Sequence, residues 1–208
     1  MSTTHLQLFQ SAVMQSWNAI VITGADLAAG GRVEIANPAF CTMTGYSLDE
    51  LRGRTLKMLQ GPDTDPAVID HLRACLREAR FFEGTTTNYR KDGSSYIVRW
   101  NISPVRDEDG VLTHFISVQQ DISEYVRTER ENRLLARAQA AAIDLAERIR
   151  MRVAAYRDAE IGKVTLSLGL ATLSPAESTD ELLARADAAL YQAKRGGRDR
   201  LCVAEPGG

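Results

Sequence analysis

Three cysteines are the side chains in this sequence that could most readily do covalent or metal chemistry. They are Cys41, Cys75 and Cys202. Their number is odd and no Cys-x-x-Cys pair occurs, which argues against a disulfide framework and against structural zinc. Cys75 falls on the apolar stripe of a predicted helix, where a buried structural thiol is the ordinary role. The cysteines therefore indicate a reducing compartment and no metal site.

Composition sets the class of protein. The chain has 208 residues, 25% of them charged, and a net charge of −2. Its overall charge therefore does not attract it to nucleic acid or to an anionic membrane surface. Its length suits one or two domains. No stretch of eighteen apolar residues and no signal-peptide pattern occurs. We expect a soluble, cytoplasmic protein that binds neither nucleic acid nor membrane.

Periodicity indicates an α+β domain in the first 120 residues. A short amphipathic helix is predicted within residues 1–17, then strands at 18–23, 31–36, 82–90, 95–105 and 112–120. Ser47 and Glu50 form a capping box, and Asp65 with Pro66 begins a longer amphipathic helix. Residues 18–120 are thus expected to form an antiparallel five-stranded sheet with helices on one face.

A single long helix is expected at residues 121–157, which contain no glycine or proline. Its apolar residues recur at heptad spacing, at Leu135, Ala138, Ala142, Leu145 and Ile149. This seam favours a homodimer that joins through the helix and the surface of the first domain; the alternative is a helix that packs on its own domain. The remaining residues, 158–208, are predicted to hold one strand at 164–171 and one helix at 179–194.

Several motifs in the first domain resemble one known family. The sequences NPAFCTMTGY, GRTLKMLQGPDTDP, NYRKDG, ISPVRDEDG and FISVQQDIS occur in that order. Residues 37–121 thereby resemble a PAS domain of the light-oxygen-voltage (LOV) subfamily. The resemblance implies a PAS fold that holds flavin mononucleotide (FMN) between sheet and helices, and a response to blue light when a cysteine thiol adds to the flavin ring.

The resemblance also implies the site residues. Amide positions that would meet the ring edge are Gln60, Asn88 and Gln119, because an amide offers both a donor and an acceptor. Lys57 and Arg73 match the cations that hold the phosphate, with lysine in place of an arginine fork. We add Thr23 to the expected cofactor contacts.

Three positions depart from the family pattern. Leu56 stands where the reactive cysteine would be, so no thiol adduct can form there, and neither Cys41 nor Cys75 substitutes for it. Val98 stands where a second ring-contacting asparagine is expected, and Thr55 replaces a further asparagine. Each lost amide removes a hydrogen bond worth about 0.5–1.5 kcal/mol.

Two hypotheses about the pocket follow from these departures. In the first, FMN is bound noncovalently and the domain senses light or redox state, with Gln119 carrying the signal into the helix that follows. In the second, the pocket holds no flavin and the domain is a dimerisation or partner-binding module. Aromatic residues that could donate electrons, but are more typical of packing, are Trp17, Tyr89, Tyr96 and Trp100.

The last quarter of the chain resembles the C-terminal part of the GGDEF diguanylate cyclase domain, through VTLSLGLATL and ELLARADAALYQAKRGGRDRL. The preceding part of that domain, with the Gly-Gly-Asp/Glu-Glu-Phe turn and the metal-binding carboxylates, has no counterpart here. We therefore expect a truncated GGDEF fragment without catalytic or metal residues. Lys194 and Arg198 match phosphate contacts of active relatives, but a solvated helix end is the favoured interpretation. The rival hypothesis is an active cyclase, and incubation with GTP and magnesium separates the two.

Overall fold

A computed structural model describes residues 3–28, 30–158, 160, 162–174 and 177–205 of the chain. It divides into two compact units, the first ending at Arg127 and the second beginning at Thr128. This division falls inside a long helix, Ser123–Ala155, whereas the sequence suggested a boundary just before that helix. The expected long helix itself is confirmed.

Before the long helix, the described residues of the first unit form five helical segments and five strands. In chain order these are α1 (Thr3–Met14), β1 (Ala19–Gly24), β2 (Val33–Ala36), α2 (Pro38–Thr44), α3 (Leu48–Leu51), a single 3-10 turn (Leu56–Leu59), α4 (Pro66–Arg77), β3 (Phe82–Tyr89), β4 (Ser95–Arg106) and β5 (Leu112–Asp121). The strands form one antiparallel sheet in the order β2-β1-β5-β4-β3. The predicted α+β architecture is therefore confirmed.

Local capping explains where the helices begin. The Ser47 hydroxyl accepts a hydrogen bond from the Glu50 amide while the Glu50 carboxylate accepts one from the Ser47 amide, which confirms the predicted capping box. Asp65 caps α4, with Pro66 at its first position. Asn37 is fully buried; its Oδ1 caps α2 at Phe40 and also accepts from the Ile20 amide of β1. One side chain thus fixes α2 against the sheet.

The interior between helices and sheet contains two apolar clusters. The first joins β1 and β2 to α2 and α3 through Val21, Val33, Phe40 and Leu51. The second joins α4 to β3, β4 and β5, and its buried members are Cys75, Phe82, Tyr96, Val98, Trp100, Ile102 and Phe115. Cys75 is 1% exposed, as expected for a structural thiol. The space between these clusters is where a ligand can be held.

The second unit carries the rest of α5 (Ser123–Ala155), then β6 (Arg157–Asp158), β7 (Gly162–Lys163), β8 (Leu168–Leu170), α6 (Thr179–Arg195) and β9 (Leu201–Val203). The prediction of one strand at 164–171 was wrong in two respects. The strand is only three residues long, and it pairs in parallel with β9, which the sequence analysis missed. Strands β6 and β7, of two residues each, form a further small antiparallel pair.

Helix α6 and strand β8 approach each other closely at Gly169. A Cβ atom at Gly169 would lie 2.3 Å from the Ala186 carbonyl oxygen and 2.4 Å from the Leu190 amide nitrogen. The backbone of α6 therefore rests directly on the backbone of β8, which only glycine permits. Ser178 and Glu181 form a second capping box at the start of α6.

Candidate ligand-binding site

A cavity of about 470 Å³ lies in the first unit between α4, the 3-10 turn and strands β1, β4 and β5. That volume is within the range of small-molecule sites. Its wall is mainly apolar, with Leu27, Leu56, Ile69, Leu72, Leu76, Ile102 and Phe115. Its neutral polar lining side chains are Thr23, Thr55, Gln60 and Ser117.

Three cations also line the cavity, namely Lys57, Arg73 and Arg77. No aspartate or glutamate of the described residues lines it, so the local charge is positive. Arg73 also makes an exposed ion pair with Asp70, with 2.8 Å between Nη1 and Oδ1. Because Arg73 and Arg77 are one helical turn apart on α4, they lie on the same face. The cavity is thus suited to an anion with an apolar body.

The predicted site residues separate into two groups. Thr23, Leu56, Lys57, Gln60 and Arg73 all line the cavity. Asn88, Val98 and Gln119 are not among its lining residues. Val98 is completely buried in the second apolar cluster, and Asn88 is half-buried on β3, opposite Tyr96.

Sequence reasoning missed Arg77 and Ser117 in the cavity wall. The signal for Arg77 was available, because it follows Arg73 by four residues in a predicted amphipathic helix. Ser117 had the same kind of signal, since it alternates with Phe115 and Gln119 on β5 and so shares their face.

Gln119 has an unusual hydrogen-bonding state. Its side chain is 5% exposed, and Nε2 donates to the Ser117 hydroxyl at 3.2 Å. Its Oε1 is buried and accepts no hydrogen bond from the described residues. A buried acceptor without a donor costs about 1–3 kcal/mol, so such an atom indicates a missing partner, either water or ligand.

The end of the sheet is tied to the start of α5 by polar contacts. Arg90 Nη2 lies 2.6 Å from Asp121 Oδ2, and Arg90 also donates to the Met43 carbonyl. Its guanidinium stacks 4.4 Å from the centre of the Tyr96 ring. Burial acts to raise the pKa of Asp121, but hydrogen bonds from Ser123 and Arg90 outweigh it and leave that pKa below its ordinary value. Burial also raises the pKa of Tyr96.

Asp121, the last residue of β5, binds Ser123, the first residue of α5. Asp121 Oδ1 accepts from the Ser123 amide at 2.9 Å and from its hydroxyl at 2.6 Å. The Ser123 hydroxyl in turn accepts from the Ile97 amide of β4 at 2.8 Å. Strands β4 and β5 therefore both hold the first turn of α5 through side-chain hydrogen bonds.

The second unit has its own ion-pair network. Arg185 binds Glu177 at 2.6 Å and donates to the Thr172 carbonyl, and its hydrogen bond lowers the pKa of Glu177 from 4.5 to about 2. Arg150 of α5 pairs with Glu147 and Asp199. Lys194 and Arg198 are exposed. In the described part of the chain, no group of three or more His, Cys, Asp or Glu side chains is arranged to hold a metal ion.

The fold, a five-stranded antiparallel sheet with helices around an internal cavity, defines a domain of the PAS class. Residues 18–124 match the family model for the PAS domain, which is more than half of the chain, and the chain belongs to that family. Residues 123–200 match the model for the diguanylate cyclase GGDEF domain. The chain is therefore a LOV-like PAS sensor linked to a GGDEF region, as expected for a signalling protein.

Similar proteins place the first unit among LOV domains. Phototropin-2 of Oryza sativa subsp. japonica is 39% identical over 99 residues, covering 48% of this chain and 11% of that protein. A blue-light-activated histidine kinase of Brucella canis is 35% identical over 132 residues, covering 62% of this chain and 27% of that protein. The chain thus spans about a quarter or less of these relatives.

Solved structures of light-oxygen-voltage proteins are also similar to this chain. An RNA-binding light-oxygen-voltage receptor matches with a TM-score of 0.57 and 28% identity, covering 68% of this chain and 40% of that one. The light-state LOV domain of Aureochrome1 matches with a TM-score of 0.50 and 32% identity, covering 61% of this chain and 98% of that one. None of the helices in the described ranges is both long and apolar enough to cross a membrane.

Proposed function

We propose that the first unit binds FMN noncovalently in the 470 Å³ cavity and passes its state to α5. The observation that carries the proposal is the combination of an apolar chamber with a wholly cationic set of charged lining residues, in a domain whose relatives are blue-light receptors. A phosphate-bearing aromatic ligand matches both features. The orphaned Oε1 of Gln119 further supports a ligand or water in this interior.

The lining residues have different roles in this proposal. Lys57, Arg73 and Arg77 hold the phosphate, the arginines through their forked donors. Gln60 and Thr23 supply hydrogen bonds inside the cavity. Leu56 presents hydrocarbon where a thiol would be required, so binding is noncovalent. FMN, when bound, supplies blue-light absorption and reversible redox chemistry.

The proposed signal runs along β5. Ser117 lines the cavity, and its hydroxyl accepts a hydrogen bond from Gln119. A ligand that donates to the same hydroxyl competes with Gln119 for that oxygen. Two residues beyond Gln119, Asp121 accepts a hydrogen bond from the Ser123 amide at the start of α5 and pairs with Arg90. A rearranged Gln119 therefore changes the strand that positions the first turn of α5.

We propose that the second unit regulates or binds a partner and does not synthesise a cyclic dinucleotide alone. The sequence contains no Gly-Gly-Asp/Glu-Glu-Phe turn, and residues 123–200, which match the GGDEF family model, also lack it. Joining two GTP molecules requires carboxylates that hold metal-bound phosphates. Incubation of the purified chain with GTP and magnesium should therefore give no cyclic dinucleotide, and product formation would refute this part.

We infer also that the protein is a homodimer that uses the heptad seam of α5. Residues of the seam are solvent-exposed within their own unit, with Leu135 at 52%, Leu145 at 55% and Ile149 at 44%. Apolar side chains at heptad spacing are stabilised when a second helix covers them.

A second candidate function is a flavin-free interaction module. The observation that favours it is the position of Asn88, Val98 and Gln119 outside the cavity wall. Reconstitution separates the two candidates. Purified protein is mixed with excess FMN in the dark and passed over a desalting column. Retention of stoichiometric FMN with the protein supports the sensor, and complete loss of FMN supports the interaction module.

A further inference from the structure

Trp17 is the most exposed large apolar side chain of the described residues, with 99% of its surface accessible. It lies in the short segment between α1 and β1, within the first unit. Tryptophan is on average a highly buried residue, because its ring system carries a large apolar surface. Where it is exposed on an isolated chain, it is enriched at the centres of protein interfaces.

The backbone on both sides of Trp17 is held by hydrogen bonds. The Ser16 hydroxyl accepts from the Asn18 amide at 3.2 Å, and the buried Asn37 donates from Nδ2 to the Asn18 carbonyl at 2.9 Å. Gln120 Nε2 donates to Asn18 Oδ1 at 3.0 Å, which ties the segment to β5. The indole is therefore carried by a fixed backbone, so covering it costs little further backbone ordering.

A surface pocket of about 800 Å³ lies beside the indole, and Trp17 forms part of its lining. The other apolar side chains that line it come from β1, α2 and the start of α5, and they are Ala19, Ala39, Met43, Ile122 and Tyr125. Its two charged lining residues, Arg99 and Asp121, have opposite signs and are already bonded within the chain, to Gln120 and Arg90. The pocket therefore suits an uncharged, largely apolar side chain.

We propose that two copies of this chain associate by exchange of Trp17, so that each indole enters the pocket of the other copy. The indole and the pocket lie side by side on one protomer. A two-fold axis that passes between them makes both contacts at once, which is the self-complementary geometry of most homodimers. An unrelated partner would need one pocket to receive Trp17 and a separate side chain to fill the pocket beside it.

Two further features favour a second copy as the occupant. The charges in the pocket wall balance within each protomer, so identical surfaces do not repel each other. Tyr125 lies near the start of α5, the same helix that carries the proposed dimer seam. The exchange of Trp17 thus adds a second contact to the homodimer proposed above, and the inference rests on that homodimer.

Two single variants test the two halves of the contact. Trp17→Ser should weaken the dimer about 30-fold, the effect of removing an interface hot spot. Ala39→Met fills the pocket from α2 and should weaken the dimer in the same direction. Phe81→Ser is the matched control, because Phe81 is 56% exposed in the same unit but lies outside the pocket, and it should stay within about twofold. Sedimentation equilibrium of the full chain in the dark gives the dissociation constants, and circular dichroism shows that each variant is folded.

Mixing the two variants distinguishes exchange of Trp17 from a general loss of stability. In a mixed dimer, the intact Trp17 of the Ala39→Met copy enters the open pocket of the Trp17→Ser copy, and only the reciprocal contact is lost. The mixture should therefore contain more dimer than either variant alone at the same total concentration. A mixture with no more dimer than the separate variants would overturn the proposal.

The outcomes separate this inference from the proposed homodimer. If the unmodified chain is a dimer and Trp17→Ser dimerises equally well, the inference is wrong and the homodimer stands. If Trp17→Ser weakens the dimer but Leu145→Lys does not, the inference stands and the heptad seam is wrong. If the unmodified chain is a monomer at every concentration tested, both are wrong.

Discussion

Arg90 and Asp121 form an ion pair, with 2.6 Å between Nη2 and Oδ2, that joins the end of β3 to the last residue of β5, two positions before α5. Both side chains are less than a third exposed, at 27% and 28%. Arg90 also holds the Met43 carbonyl of α2 and stacks on Tyr96. One guanidinium thus connects the helical layer, the sheet and the start of the long helix.

The first prediction concerns this pair. Arg90→Gln should reduce the free energy of unfolding of the first unit by about 1–2 kcal/mol, because it removes a partly buried ion pair and leaves a carbonyl without its charged donor. Hydrogen exchange at the first turn of α5 should accelerate. Arg99→Gln, which loses only an exposed contact with Gln120, is the matched control. Equal exchange in both variants would show that Arg90 does not hold α5.

The second prediction restores the missing thiol. In FMN-loaded protein, Leu56→Cys should acquire a reversible, light-induced loss of blue absorbance that the unmodified chain lacks. The reason is that Leu56 lines the cavity at the position of the reactive cysteine in LOV domains. Leu56→Ser is the control, since it offers a hydroxyl of similar size but no thiolate. Bleaching in the serine variant, or none in the cysteine variant, would contradict the proposed placement of the flavin.

The third prediction tests the cationic wall. Arg73→Ala should weaken FMN binding by about 10-fold, the value of one charge-assisted hydrogen bond of about 1.5 kcal/mol. The same variant should bind riboflavin, which has no phosphate, as well as the unmodified chain does. Titration with both ligands gives the comparison. An equal loss for riboflavin would mean that Arg73 supports the fold of the cavity and not the phosphate.

The fourth prediction concerns α5 as a dimer seam. Leu145→Lys should shift the protein from dimer to monomer, because it places a charge on the heptad face. Leu134→Lys is a close control, since Leu134 is 55% exposed, the same as Leu145, but lies off the seam. Light scattering coupled to gel filtration measures the mass. Loss of the dimer in both variants, or in neither, would contradict the proposed seam.

The fifth prediction is a pH dependence of the second unit. The Arg185 hydrogen bond lowers the pKa of Glu177 from 4.5 to about 2 in the folded state. A group with a lowered folded pKa stabilises the fold above its unfolded pKa, and that stability is lost as the pH falls through the folded value. Stability of residues 128–208 should therefore decline between about pH 4.5 and pH 2. Glu177→Gln should flatten this decline, measured by hydrogen exchange, whereas Glu131→Gln on exposed α5 should not. Identical pH profiles for both would refute the assignment.

Local sequence signals predicted the elements of the first unit well. Ser47 with Glu50, and Asp65 with Pro66, begin helices where the sequence indicated, because capping depends on residues a few positions apart. The cavity group around Lys57, Gln60 and Arg73 also follows from short segments, the 3-10 turn and α4.

Long-range register was harder to predict. Gln119 was grouped with Gln60 as a ring contact, yet its position beside Trp100 depends on the pairing of β4 with β5. Trp100 is a buried packing residue, as the sequence favoured, but its contact with the Phe82 ring depends on the same long-range pairing. Strand β9 was missed for a similar reason. It has only three residues, and its partner β8 lies on the other side of α6 in the sequence.

The absorption spectrum of freshly purified protein, with mass analysis of any small molecule released on denaturation, tests the central claim most directly. The account predicts flavin absorbance in the blue region, a released mass equal to that of FMN, and no covalent photoproduct after illumination. A colourless protein that releases no flavin, even when produced with excess FMN, would contradict it.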